Sequence, residues 1–165
     1  DNNKAKINLT EEIILRGIQP NRIIFGKRLC KLEYLARYQV ADLFLDTLPY
    51  NAGATASDAL RMGLPVLTCL GNSMVGRMGA SLLNAVNLPE MIKTSQEEYE
   101  SFAIELALDS AKLKIIKNKL ATNLSTAMLY DSTLFTRHLE TAYLAMYDRY
   151  QKGLDPEHIY VEHYL

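Results

Sequence analysis

Apolar residues in the first part of the chain alternate between continuous runs and helically spaced stripes. Continuous runs rich in β-branched and aromatic residues predict strands at residues 22–26, 41–47, 65–70 and 91–93. Helical spacing lies before and between these runs, at residues 10–17, 31–38, 55–62 and 73–86. Strands that alternate with helices predict an α/β fold with a Rossmann-like parallel sheet, because parallel neighbours need helical crossovers.

From Ser95 onward the pattern is purely helical, and two apolar stripes mark the faces expected to pack. The first stripe is Leu113, Ile116, Leu120 and Leu124, and the second is Phe135, Leu139, Tyr143, Met146 and Tyr150. We predict a single domain, 1–165, in which a Rossmann-like core (10–94) is followed by C-terminal helices (95–155) and a tail (156–165). A doubly wound domain normally opens with a hydrophobic strand and a phosphate-binding turn. This chain opens with a polar stretch, so we expect that first strand to be missing.

Composition narrows the class of protein. The 165 residues are 48% hydrophobic and 22% charged, with a formal net charge of −1, which gives no electrostatic footprint for nucleic acid or an anionic membrane. No apolar run approaches the roughly 18 residues that span a bilayer. Cys30 and Cys69 lack the spacing of a zinc site and suit a reducing compartment. We therefore expect a cytoplasmic protein with no nucleic-acid or membrane partner.

Ligands of open parallel sheets bind beyond the carboxyl ends of the strands, and three segments converge there. The turn at Gly71, Asn72 and Ser73 is expected to have a structural role, and the other two are candidates for binding. In the first, Lys31, Tyr34 and Arg37 fall on one helical face and offer two cations and an aromatic ring. In the second, small residues precede a helix start near Thr55, whose free N–H groups would attract an anion, and Asp58 could accept hydrogen bonds from ribose. Each has a plainer alternative: a solvated helix face, and a capping box in which Thr55 and Asp58 only satisfy backbone groups.

Several separated motifs resemble one known family. They are RIIFG, KLEYLARYQVADLFLDTLPYNAGATASDALRMGLPVLT, RMGASLL, LPEMIKTSQEEYE and LYDSTLF with LETAYLAMYDRY. Together, over roughly residues 11–155, the chain is similar to the O-linked N-acetylglucosamine transferases, which usually carry tetratricopeptide (TPR) repeats. The resemblance implies the C-terminal, UDP-binding half of a GT-B fold, in which two Rossmann-like domains flank the active site.

The resemblance also implies roles for single residues. Lys31 corresponds to a lysine on the ribose and phosphate side, Arg37 to an arginine at uracil, and Leu29 to a backbone contact with uracil. Asp58 corresponds to the ribose-binding aspartate and Thr55 to a threonine at the diphosphate. The remaining correspondences are departures: Tyr34 replaces a stacking histidine, and Gly53 and Ala54 replace the His-Thr of a His-Thr-Thr motif. An aromatic ring can still stack, so Tyr34 keeps its expected role.

The implied reaction moves N-acetylglucosamine, or a related hexose, from UDP to a protein Ser or Thr with inversion. Lysine side chains and a helix dipole would neutralise the leaving diphosphate, so neither a metal nor another cofactor is expected. The expected partners are a UDP-sugar, a protein acceptor, a missing N-terminal catalytic half and TPR repeats. No general base is evident, because His138, His158 and His163 fall in the last helix and the tail. The chain is not expected to be active alone.

Two other function classes stay open. A non-catalytic interaction module with a degenerate transferase fold would explain the losses at Gly53 and Ala54. A receiver-like signalling domain is suggested by Asp46 at a strand end, as in LFLDTLP. The receiver lacks support elsewhere, because no acidic pair lies upstream and no lysine followed by proline ends the next strand.

Overall fold

A computed structural model describes residues 2–161 of the chain. Its contacts divide the chain into two compact units, with the boundary between Tyr34 and Leu35. Each unit is described by itself, and the division of the chain into one domain with a core, helices and a tail stays a prediction.

The first unit is built on helix α1, Asn3–Leu15. The Asn2 side chain caps it by accepting from the N–H groups of Lys4 and Ala5, and Gly17 ends it at φ 73°, as the sequence predicts. A 3₁₀ turn, Pro20–Arg22, follows. The predicted strand at residues 22–26 is wrong: these residues form no ladder, and Ile24 is 89% exposed. The described part of this unit contains no second strand, so the backbone of such a run has nothing to pair with.

The second unit holds a three-stranded parallel sheet. Its strands are β1 (Phe44–Leu45), β2 (Val66–Cys69) and β3 (Ile92–Lys93), in the order β1-β2-β3. Phe44 aligns with Val66, and Thr68 aligns with Ile92. The three remaining strand predictions are therefore confirmed in position, although all three strands are shorter than predicted. The central strand β2 is buried along its whole length, as expected for a sheet covered on both faces.

Helices connect and cover these strands. Helix α2, Lys31–Arg37, crosses from the first unit into the second, and a 3₁₀ turn, Tyr38–Val40, precedes β1. The second unit's remaining helices follow in chain order: α3 (Ala54–Arg61), α4 (Met78–Ala85), α5 (Gln96–Leu108), α6 (Ser110–Leu124) and α7 (Ser132–Gln151). Within residues 2–161, no helix combines the length and apolarity needed to cross a membrane.

The core of the second unit lies between the sheet and helices α3 to α6. Its fully buried side chains include Leu60 of α3, Leu67 of β2, Leu83 of α4 and Leu106 of α5. The first predicted C-terminal stripe is confirmed, because Ile116 and Leu120 of α6 join this core while Leu113 and Leu124 are half-buried. The second stripe behaves differently. Helix α7 buries none of its residues, so its apolar stripe faces outward in the described chain.

Adjacent isoleucines on α6 provide a test of this packing. Ile116 is 5% exposed and Ile115 is 67% exposed. We expect Ile116→Ala to lower the free energy of unfolding by about 2–5 kcal/mol, because it leaves a cavity in the core. Ile115→Ala should change it by no more than about 0.5 kcal/mol. Urea unfolding of the two variants measures the difference, and equal losses would contradict the assigned face of α6.

Candidate functional site

Two loops follow the carboxyl ends of β1 and β2 and are joined by a hydrogen bond. The Asn51 N–H, in the loop after β1, donates to the Val75 carbonyl, in the loop after β2, at 3.3 Å. The second loop is closed by the Gly71 N–H, which donates to the Gly76 carbonyl at 2.7 Å, and by the Ser73 hydroxyl, which accepts from the Gly76 N–H at 3.0 Å. The two loops therefore form one connected surface at the edge where parallel sheets bind ligands.

A buried carboxyl group lies beneath this surface. Asp46, directly after β1, is 5% exposed. Its Oδ1 accepts from the backbone N–H groups of Thr47 at 2.9 Å and Ala52 at 2.7 Å, and its Oδ2 accepts from the Thr68 hydroxyl at 2.7 Å. Three donated hydrogen bonds suit an ionised carboxylate and offset the cost of burying it.

Neighbouring helices enclose the same carboxyl group. A Cβ added to Gly79 of α4 would lie 2.5 Å from Asp46 Oδ2 and 2.5 Å from Thr68 Oγ1, so glycine is the residue that permits this approach. From α5, the Tyr99 hydroxyl donates to the Asp46 backbone carbonyl at 2.8 Å. The Asp46 side chain and main chain are thus held by separate elements.

The amino end of α3 begins immediately after the β1 loop. Its N-cap residue is Gly53, which offers no side chain to the helix, and Thr55 is the second residue of the helix and is exposed. The predicted capping box at Thr55 is therefore wrong: the helix starts two residues earlier than a Thr55 cap would require. The first N–H groups of a helix have no intrahelical acceptor, so this end carries the donors that an anion would use.

Two tyrosine hydroxyls hold the first turn of α3. Tyr38 donates to the Thr55 carbonyl at 3.2 Å, and Tyr130 donates to the Ser57 carbonyl at 2.8 Å. Burial raises the pKa of Tyr130, an effect that its hydrogen bond to Ser57 and the nearby Arg61 partly oppose. Asp58, one residue further along α3, is half-buried.

The ligand-binding residues predicted on α2 and just before it are divided between the two units. Leu29, Lys31 and Tyr34 belong to the first unit, where the Lys31 ammonium lies 5.1 Å from the centre of the Tyr34 ring. Leu29 and Lys31 are exposed, and Tyr34 is half-buried. Arg37 is exposed and belongs to the second unit, as do Gly53, Ala54, Thr55 and Asp58. That all eight residues contact one ligand stays a prediction.

The burial of Asp46 bears on the receiver-like alternative. A phosphoacceptor aspartate must present a carboxylate oxygen to solvent and to a phosphoryl donor. Both oxygens of Asp46 accept hydrogen bonds from within the fold, and the side chain is enclosed. Asp46 is therefore a structural carboxylate, and its position at a strand end misleads when read from the sequence alone.

Comparison with known proteins decides the family. The model of glycosyl transferase family 41 matches residues 3–139, which is most of the chain. This chain belongs to glycosyl transferase family 41.

Family 41 relatives agree in sequence and in structure. The chain is 35% identical over 147 residues to the probable UDP-N-acetylglucosamine–peptide N-acetylglucosaminyltransferase SEC of Arabidopsis thaliana, covering 88% of this chain and 15% of that protein. It is 32% identical over 144 residues to the corresponding enzyme of Caenorhabditis elegans, covering 87% and 12%. A solved O-GlcNAc transferase mutant from Thermobaculum terrenum matches with a TM-score of 0.82 and 34% identity, covering 90% of this chain and 29% of that one. The Rossmann-like fold prediction is confirmed, and the chain spans only a small part of these relatives' lengths.

The other candidate reactive groups of this family 41 chain are its histidines, its cysteines and any metal-binding cluster. Among residues 2–161, no group of three or more His, Cys, Asp or Glu side chains could hold a metal ion. His138 is half-buried on α7 and His158 is exposed, while His163 lies outside the described residues. Cys30 is exposed, and burial raises the pKa of Cys69, with smaller contributions from Glu98 and Glu97. The expectation that donor binding needs no metal or cofactor stays a prediction.

Sequence reasoning missed three residues at this edge. Thr68, Gly79 and Tyr99 lie on three different elements and meet at Asp46, which the sequence singled out for a different reason. Thr68 was part of an apolar strand run, and Gly79 and Tyr99 lie in segments that resemble the family but were assigned no role of their own. The one available signal was an aspartate at the end of a strand that is otherwise apolar.

Tyr99 gives this network a pH signature. Burial, followed by the nearby carboxyl group of Asp46, raises the pKa of Tyr99 in the folded chain. Above the ordinary tyrosine pKa of about 10, the unfolded chain loses a proton that the folded chain keeps, so stability falls as the pH rises through the folded value. We expect Tyr99→Phe to cost about 1 kcal/mol at neutral pH and to make this alkaline fall shallower.

Urea unfolding between about pH 8 and pH 11 measures both effects. Tyr147→Phe is the matched control, because it removes a hydroxyl from an exposed tyrosine of α7. An alkaline slope unchanged by Tyr99→Phe would contradict the assignment. Part of the slope should persist in that variant because the pKa of Tyr130 is raised as well.

Proposed function

We propose that this chain holds the nucleotide of a UDP-sugar in a glycosyltransferase that moves N-acetylglucosamine, or a related hexose, to a protein Ser or Thr. The observation that carries the proposal is the amino end of α3, where the N-cap Gly53 has no side chain and Ala54 and Thr55 are exposed at the carboxyl edge of the sheet. Such an end offers N–H donors and a positive dipole to a diphosphate. The relatives are named for transfer of N-acetylglucosamine from its UDP form to peptides, which supports this donor and acceptor.

We assign the proposed contacts in order from the diphosphate to the ribose and the base. The N–H groups of Ala54 and Thr55 and the Thr55 hydroxyl bind phosphate oxygens, and Asp58 accepts hydrogen bonds from ribose. The remaining contacts, made by Leu29, Lys31, Tyr34 and Arg37, are assigned by family resemblance to the uracil, ribose and phosphate. Transfer with inversion places negative charge on the departing UDP, and a lysine with a helix dipole stabilises that charge without a bound metal.

The rest of the enzyme is also part of the proposal. The curated relatives are far longer than this chain, which covers 15% and 12% of the two compared above. A second Rossmann-like half would supply the catalytic base, TPR repeats would engage the protein acceptor, and the enzyme would be cytoplasmic. The chain by itself is proposed to be inactive.

One observation favours a second candidate function. Gly53 and Ala54 stand where the family's His-Thr-Thr motif supplies an imidazole and a hydroxyl. A non-catalytic module that keeps the fold and has lost donor affinity would show this change. Measuring UDP binding separates the two candidates directly.

We expect Lys31→Ala and Asp58→Ala each to weaken UDP binding by about tenfold or more in the full-length protein, since each removes a charged hydrogen-bonding partner. Isothermal titration calorimetry with UDP measures the effect, and thermal unfolding checks that both variants stay folded. Lys114→Ala on α6 is the matched control, because it removes an exposed lysine outside the proposed site.

Unchanged UDP affinity in both variants would reject the site assignment. A wild-type protein that binds no UDP would instead favour the non-catalytic module. Titration with ADP tests the base, because the residues assigned to uracil predict weaker binding of a purine nucleotide.

A further inference from the structure

We infer that Asp46 is the positioning residue of the donor site: its buried carboxyl group ties the loop after β1 into the shape that places the amino end of α3. This inference rests on the proposed function, because it states how the UDP site is held. It assigns Asp46 no contact with the ligand.

The Oδ1 atom of Asp46 joins the two ends of the loop. It accepts from the N–H of Thr47, the first loop residue, and from the N–H of Ala52, directly before the α3 N-cap Gly53. The five peptide units between those two donors are therefore closed around a single oxygen atom. Because Ala52 is fixed in this way, so are the position and direction in which α3 begins.

Hydrogen bonds within the loop reinforce this closure. Asn51 is 1% exposed, and its Nδ2 donates to the Thr47 carbonyl at 2.9 Å. The Thr47 hydroxyl donates to the Tyr50 carbonyl at 3.1 Å. The Oδ1 of Asn51 is enclosed and accepts no hydrogen bond from the described residues. The bonds to Asp46 and those within the loop together close the loop around the Asp46 carboxyl group.

The Oδ2 atom fixes the carboxyl group to the rest of the fold. It accepts from Thr68 on the fully buried strand β2, and the bare backbone of Gly79 on α4 lies against both groups. The bond from Thr68 thereby fixes the position of the loop relative to the buried central strand β2. A change at Gly79 would displace the carboxyl group without altering any residue of the loop or of α3.

A residue that positions the donor site and a residue that only stabilises the fold predict different effects on UDP binding. If Asp46 places the donor site, disturbing its carboxyl group should weaken UDP binding more than an equally destabilising change elsewhere does. Because the amino end of α3 is proposed both to bind the diphosphate and to stabilise the charge on departing UDP, the loss should appear in UDP affinity and in kcat/KM for the UDP-sugar.

The test compares four variants of the full-length protein: Asp46→Ala, Asp46→Asn, Gly79→Ala and Ile116→Ala. Asp46→Ala removes all three hydrogen bonds. Asp46→Asn keeps one oxygen for the Thr47 and Ala52 N–H groups and can donate to a reoriented Thr68 hydroxyl, so it is the conservative rescue. Gly79→Ala displaces the carboxyl group while keeping it, and Ile116→Ala is a control destabilised in the core on α6.

We expect the dissociation constant for UDP to rise, and kcat/KM for the UDP-sugar to fall, by about tenfold or more in Asp46→Ala and Gly79→Ala. Asp46→Asn should recover most of the affinity, and Ile116→Ala should bind UDP within about twofold of wild type. The amide proton signals of Thr47 and Ala52 should shift and exchange faster in Asp46→Ala and Gly79→Ala alone. If Asp46→Ala fails to fold, a comparison of the UDP affinities of Gly79→Ala and Ile116→Ala decides the question.

Equal UDP affinity in wild type and the folded Gly79→Ala and Asp46→Ala variants would overturn this inference and leave the proposed function standing. A loss in Ile116→Ala as large as in Gly79→Ala would also overturn it, because general destabilisation would then explain both. Failure of the wild-type protein to bind UDP would overturn the proposed function itself.

Discussion

The hydrogen bonds of one buried carboxyl group connect the sheet to the surface where this family 41 chain is proposed to bind a UDP-sugar. Asp46 lies where β1 ends and accepts from two backbone N–H groups of the following loop and from a hydroxyl of β2. Burying a carboxyl group is costly, and the three donated hydrogen bonds, two of them from the loop, offset that cost. The start of α3 is tied to this loop because Ala52, one of the donors, is followed directly by the N-cap Gly53.

Small residues in this region serve two separate purposes. Gly79 lacks a side chain so that α4 can approach the carboxyl group from behind the loop. Gly53 caps α3 without a side chain, and Ala54, the first residue of the helix, is exposed at the end where a diphosphate is proposed to bind. The first purpose is a packing requirement inside the fold. The second belongs to the proposed function, in which backbone N–H groups and the helix dipole bind the diphosphate where the family resemblance places an imidazole.

The C-terminal helices divide into one that completes the core and one that does not. Ile116 and Leu120 of α6 are buried against the sheet layer, whereas α7 presents its apolar stripe outward. Both helices have the same kind of amphipathic spacing. A tyrosine just before α7 still connects this region to the site, since Tyr130 donates to the Ser57 carbonyl in the first turn of α3. The amino end of α3 is thus fixed from the loop, from Tyr38 and from Tyr130.

The sequence alone determined the fold class, three of the four predicted strands and the family, because apolar periodicity and several separated motifs are properties of the linear chain. It failed at residues 22–26, since an apolar run records a preference for burial but cannot supply the neighbouring strand that a ladder requires. Only the tertiary structure could reveal the role of Asp46. Its partners Thr68 and Tyr99 lie 22 and 53 positions away in the chain, and hydrogen bonds between such distant residues depend on how the elements pack, which no local pattern encodes.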